Sequence, residues 1–263
     1  MPYLALARAG RIHYAERGER RADRPSLVFI HGAGAGSGIW SMTLARVARS
    51  AHAIAIDLPG HGPSAGGDLA TLSMERYRDA VGELCGALCL GPSVLVGHSM
   101  GALVALEAAL AWPDKVRALV LVAAAPKMPV DPELLALLRD DPDRATLWLA
   151  DRSLSPRVKP AIRRGFLAAG VCRASASPEV ARADFEIVLG ADLTDDRLAT
   201  ITCPIVWLDG ADDAMVPRGC RDGRRGSVVT VPDAGHLLPI EAPAAIAEAV
   251  PGAAPTDAFR LGA

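Results

Sequence analysis

Short strand-like runs alternate along this chain with stretches of helical character, and that alternation limits the fold more than any other feature. Runs at 3–7, 11–16, 26–30, 52–57, 93–97, 117–122, 204–209 and 227–231 read as strands. Several are apolar almost throughout, as strands covered on both faces must be. Parallel neighbours need a crossover between them, and helical stretches at 39–49, 72–88 and 100–111 supply it. The expected architecture is α/β: a mostly parallel eight-stranded sheet with helices on both faces and its loops gathered at the carboxyl ends of the strands.

From 125 to 199 the rhythm changes. Strand-like runs vanish, and charge-laced helical segments broken by prolines take their place. The segment is expected to be a helical cap inserted after the sixth strand, between core parts at 1–124 and 200–263. With 263 residues, about half of them apolar, one sizeable core is within reach.

Chemistry concentrates where the strand at 93–97 meets the helix at 100–111. Gly97-His98-Ser99-Met100-Gly101 has the form G-x-S-x-G in a strand–turn–helix setting. A serine on so tight a turn stands clear of the sheet at a helix amino terminus, where negative charge is favoured. The alternative is a plain helix cap. His98 is expected to point away from the serine and to be structural.

A tetrahedral intermediate needs two fixed N–H donors. The amide of Met100 is one candidate, and the glycine-rich turn His31-Gly32-Ala33-Gly34 offers the other, with Ala33 favoured over Gly32 or Gly34. The base is expected to be His236, which follows the last strand within Pro232-Asp233-Ala234-Gly235-His236. His31 and His61 read as loop braces, and His13 and His52 lie in or beside strands. The acid is placed at Asp213, after the strand at 204–209, with its neighbour Asp212 left open. Asp57 and Asp209 also end strands and are expected to bond nearby loop amides.

Taken in order, His31-Gly32-Ala33-Gly34, the run from Asp57 to Ser64, the serine turn, the run from Gly210 to Pro217 and Gly235-His236 resemble the α/β-hydrolase superfamily. The similarity is greatest to small bacterial carboxylesterases with a helical cap. The resemblance implies the α/β-hydrolase fold and assigns the acid to Asp213, three residues after a glycine. One departure stands out: residues 218–226 form a poor helix where the superfamily has a full one. The closing helix is also short, since Pro251 cuts it off.

These readings imply a serine esterase that forms an acyl-enzyme and needs neither cofactor nor metal. The alternatives on the same triad are a carbon–carbon hydrolase, a lactonase or a cofactor-free perhydrolase; a non-catalytic binding protein is a further one. Trp40, Met128, Trp148 and Leu237 are candidate pocket residues, with Ile39, Leu134, Leu138, Leu149 and Phe166 beside them. A formal charge of −2 with scattered arginines offers no footprint for nucleic acid, so a small-molecule substrate is the expected partner. No secretory leader or membrane span is legible. Five cysteines without a CxxC pair suit a reduced, cytoplasmic setting, with Cys85 and Cys89 read as buried packing residues. A monomer or homodimer is expected.

Overall fold

The computed structural model describes residues 2–64, 66, 68–161, 163, 165 and 175–250. Eight strands form one sheet: β1 (Tyr3–Leu6), β2 (Gly10–Arg17), β3 (Leu27–Ile30), β4 (Ala53–Ile56), β5 (Ser93–His98), β6 (Val116–Val122), β7 (Ile205–Gly210) and β8 (Ser227–Val231). Their order is β1-β2-β4-β3-β5-β6-β7-β8, with β2 antiparallel to both its neighbours and the rest parallel. Each predicted strand is present to within a residue or two.

Successive side chains on a strand point to opposite faces, and here each face finds its own helices. Val28, Ile30, Ile54, Ile56, Leu95 and Leu121 pack with residues of α2 (Met74–Ala87) and α3 (Met100–Ala111). Leu27, Phe29, Ala53, Ala55, Val94 and Val96 pack instead with α1 (Ser41–Val47) and with Ile246, from the closing helix. The closing pair is α8 (Leu238–Glu241) and α9 (Pro243–Ala249), numbered after the helices described next. α3 is apolar around nearly its whole circumference, as a helix enclosed on every side must be.

Between β6 and β7 the described residues contain no strand, and their helices include α4 (Pro132–Asp140), α5 (Pro142–Ser153), α6 (Pro178–Gly190) and α7 (Asp195–Ala199). Local chemistry starts the first three. Asp131, Asp141 and Ser177 each accept a backbone N–H with their side chains, and each is followed by a proline whose missing N–H costs a helix start nothing. Leu134, Leu137, Leu138, Ala145, Leu149, Ala181 and Phe185 form the shared apolar interior of this insertion.

The departure at 218–226 has a visible consequence. Only a short 3-10 turn, Arg218–Arg221, stands between β7 and β8, and Val228 and Val229 on β8 are 50% and 46% exposed. Cys85 is half-buried and its thiol is pushed up to about 12 by burial. Cys89, expected inside, is exposed, because it sits just past the end of α2 with φ 49°. No helix among the described residues is long and apolar enough to cross a membrane.

Candidate active site

Ser99 joins β5 to α3 with φ 52° and ψ −118°, a conformation that costs a non-glycine residue about 1–3 kcal/mol. The surroundings impose it. A Cβ on Gly97 would lie 2.2 Å from the Gly101 carbonyl oxygen, and one on Gly101 would lie 2.3 Å from that of Ile30. Only glycine at both places lets strand and helix close on each other around the serine. The turn is locked by the Ser99 amide donating to the Val122 carbonyl at 2.9 Å, and Ser99 itself is half-buried.

His236 approaches from the loop after β8. Its Nδ1 donates to Asp213 Oδ2 at 3.2 Å, and both side chains are buried. Asp213 Oδ1 accepts the amides of Met215 and Val216 at 2.9 and 3.1 Å. Burial opposes charge on this carboxyl, yet His236, its hydrogen bonds and Arg221 hold it below the usual carboxylate range. Asp212 is otherwise engaged. It accepts Ser155 Oγ at 2.7 Å and lies 3.6 Å from Arg157, so of the two neighbouring aspartates Asp213 is the one bonded to the imidazole.

His98 links this pair to the serine turn. Its Nε2–H donates to the His236 carbonyl at 2.9 Å, with the two rings 5.0 Å apart. Burial, with His236 beside it, pushes the ring down to about 3, so it is neutral. The histidine loop is also gripped from the insertion. His236 and Leu237 donate their amides to the Ser153 carbonyl, at 2.7 and 3.2 Å, and Glu241 accepts the amides of Ser155 and Gly235.

The turn after β3 passes directly beside the serine: a Cβ on Gly32 would lie 3.1 Å from that of Ser99. Within it the amide of Gly34 is already taken, donating to Asp184 Oδ2 at 2.8 Å. Gly34 is thereby engaged elsewhere, and the amides of Ala33 and Gly32 are the candidates that stay open beside Met100. Asp184 belongs to α6 and is wholly buried. It also accepts His61 Nε2 at 2.7 Å and the Tyr77 hydroxyl at 2.5 Å. Sequence reasoning passed over it, though the spacing of Val180, Asp184 and Val188 on one helical face was a usable signal.

The expected braces are in place. His31 donates from Nδ1 to the Gly32 carbonyl and accepts the Leu58 amide at Nε2, which fixes a neutral tautomer. Asp57 accepts the Ser37 amide and hydroxyl and the ring of His13. Asp209 differs from expectation: it pairs with Arg224 and Arg221 instead of loop amides.

Of the candidate pocket residues, Trp40 is enclosed by the core. It ends the 3-10 turn Ser37–Trp40 and lies wholly buried against Phe29 and edge-on to His98. Met128 is buried in the core on the α3 side. Trp148 is half-buried on α5, its Nε1 donating to Glu133, and Leu237 packs against Ala150 and Leu154. Phe166 lies outside the described residues. Among the described residues no cluster of histidine, cysteine and acidic groups could hold a metal ion.

Comparison with known proteins follows the same lines. The chain is 29% identical over 209 residues to a pimeloyl-[acyl-carrier protein] methyl ester esterase of Vibrio parahaemolyticus, covering 73% of this chain and 78% of that protein. It is 31% identical over 242 residues to the dihydrolipoyllysine-residue acetyltransferase component of the acetoin cleaving system of Pseudomonas putida. That match covers 82% of this chain, which spans only 60% of that relative's length. A thermophilic esterase from Thermogutta terrifontis superposes with a TM-score of 0.81 at 22% identity, covering 95% of this chain and 96% of its own. Residues 27–249 match the model of the alpha/beta hydrolase family. Since that match runs from the first residue of β3 to the last of α9, it takes in the serine turn and both of the loops facing it: the chain belongs to the alpha/beta hydrolase family.

Proposed function

We propose that this chain hydrolyses carboxylic esters of small to medium, partly apolar substrates through an acyl-enzyme on Ser99. The observation that carries the reading is the bond from His236 Nδ1 to Asp213, which leaves Nε2 as the ring nitrogen able to take a proton. Ser99 Oγ attacks the ester carbonyl as His236 Nε2 removes its proton, and the amides of Ala33 and Met100 hold the oxyanion. Each such donor contributes about 3 kcal/mol to the transition state. His236 then returns the proton to the departing alcohol, and water repeats the sequence to release the acid.

Family membership and the ester-cleaving names among relatives support an ester bond as the target. The helices between β6 and β7 act as the cap. Their apolar interior is continuous with Ala33 of the oxyanion turn and Met215 of the acid loop, which supports an apolar group on the substrate.

The test joins labelling to turnover. A fluorophosphonate is expected to label the parent and not S99A, and S99A is expected to hydrolyse p-nitrophenyl acyl esters roughly 10³- to 10⁶-fold more slowly. An unlabelled parent, or S99A with parental turnover, overturns the reading. Faster turnover of lactones or ring-fission diketones than of any acyl ester would move the substrate class while keeping the triad.

A further inference from the structure

The segment that replaces an outer helix delivers two arginines to the back of the acid. Arg221 Nη2 donates to Asp213 Oδ2 at 2.7 Å, the same oxygen that accepts His236 at 3.2 Å. Arg224 engages Asp209 through both terminal nitrogens, at 3.0 and 2.5 Å, and lies over the Trp207 ring. Arg221 reaches Asp209 only at 3.6 Å. Arg224 therefore offsets Asp209, and the charge of Arg221 falls mainly on Asp213. All four side chains are at most 9% exposed, so solvent screens the cluster weakly.

In a serine relay the acid stabilises the imidazolium that forms as the hydroxyl attacks. A guanidinium on the same carboxylate oxygen opposes that stabilisation and spends one of its lone pairs. We propose that Arg221 is a positioning residue for the acid–base pair: it holds Asp213 in place and offsets its charge, so that activity persists to lower pH than with an unpaired acid. This rests on the reading of Ser99, His236 and Asp213 given above.

The other groups facing the pair leave Arg221 as the cation bonded to it. Asp212 is occupied by Ser155 and Arg157, and His98 from the serine turn is neutral. Glu241 from α8 accepts the amides of Ser155 and Gly235.

The experiment is the pH dependence of kcat/KM for p-nitrophenyl acetate in the parent, R221Q and D209N. R221Q is expected to move the acid limb up by about one pH unit, the scale of one close opposite charge. D209N removes one buried negative charge and leaves that of Arg224 unbalanced behind the acid, and is expected to move the limb down. Opposite displacements are a signature that loosened packing does not produce. If R221Q fails to fold, R221M, which removes the same charge with a side chain of similar reach, takes its place. A limb that stays at the parental position in the folded variants overturns the proposal, even if the plateau falls. Fluorophosphonate labelling of the parent keeps the two readings apart: labelled Ser99 with an unmoved limb sinks the role of Arg221 alone, whereas an unlabelled parent sinks the triad.

Discussion

Asp184 and Asp213 are both buried carboxylates near the carboxyl edge of the sheet, and each is bonded to a histidine. Their surroundings differ in one respect that separates a rivet from a relay. The histidine on Asp184 is His61, whose second nitrogen donates to the Pro59 carbonyl at 3.1 Å. Both its nitrogens face acceptors, which favours the protonated ring and leaves neither free to take a proton from a substrate. The histidine on Asp213 commits Nδ1 alone. What the second nitrogen faces, not the aspartate–histidine contact, decides whether the pair can pass a proton.

The largest expected effect tests the relay. D213N should keep the fold and lower kcat by roughly 10³- to 10⁴-fold, because an amide at that position favours the wrong imidazole tautomer. D184N should cost far less in turnover. Equal losses in the two variants would erase the distinction between the two aspartates.

The rivet should fail in stability instead. D184A leaves the His61 charge, the Tyr77 hydroxyl and the Gly34 amide buried without their acceptor, and losing one partner of a buried pair costs about 3–5 kcal/mol. Urea unfolding is the measurement, and a loss under about 1 kcal/mol would show that α6 is held by its apolar contacts alone. The same contact has a pH signature. Burial by itself lowers the affinity of His61 for a proton, but Asp184 and the hydrogen bonds outweigh it and hold the ring above its ordinary value. Stability from a raised histidine is complete below the unfolded value of about 6.5 and is lost as pH rises through the folded one. The stability gap between parent and D184N should therefore be widest below pH 6 and narrow on the alkaline side; a gap independent of pH would deny that the ring is charged.

Local patterning made the serine turn legible, since two glycines, an apolar strand and an Ala-rich helix are all written next to Ser99. The eight strands were legible for the same reason. The choice between Asp212 and Asp213 was not legible from their spacing, because neighbours in the chain point to different partners and only packing shows that Ser155 and Arg157 take the first. Asp184 was hidden among helical charges, its burial set by a loop 150 residues earlier. The burial of Trp40 was not legible either, because a large aromatic residue after the oxyanion turn fits an entrance and a core equally well in sequence and only the fold shows how far it is enclosed. Arg221 and Arg224 read as a broken helix, and their pairing with the two aspartates depends on how residues 218–226 fold back against β7.

The smallest effect is expected at His98, and it discriminates between two ways of steadying the base. Arg221 carries charge to the acid, whereas His98 offers a single neutral hydrogen bond to the His236 carbonyl. H98L removes that bond, worth about 1 kcal/mol, and should lower kcat/KM roughly fivefold. H98Q can still donate an N–H and should recover most of the loss. Because His98 is already uncharged throughout the working range, neither change should displace the acid limb of the pH profile. A displaced limb in H98L would mean that the ring at 98 bears charge beside His236, and the contrast between a charged support and a neutral one would have to be abandoned.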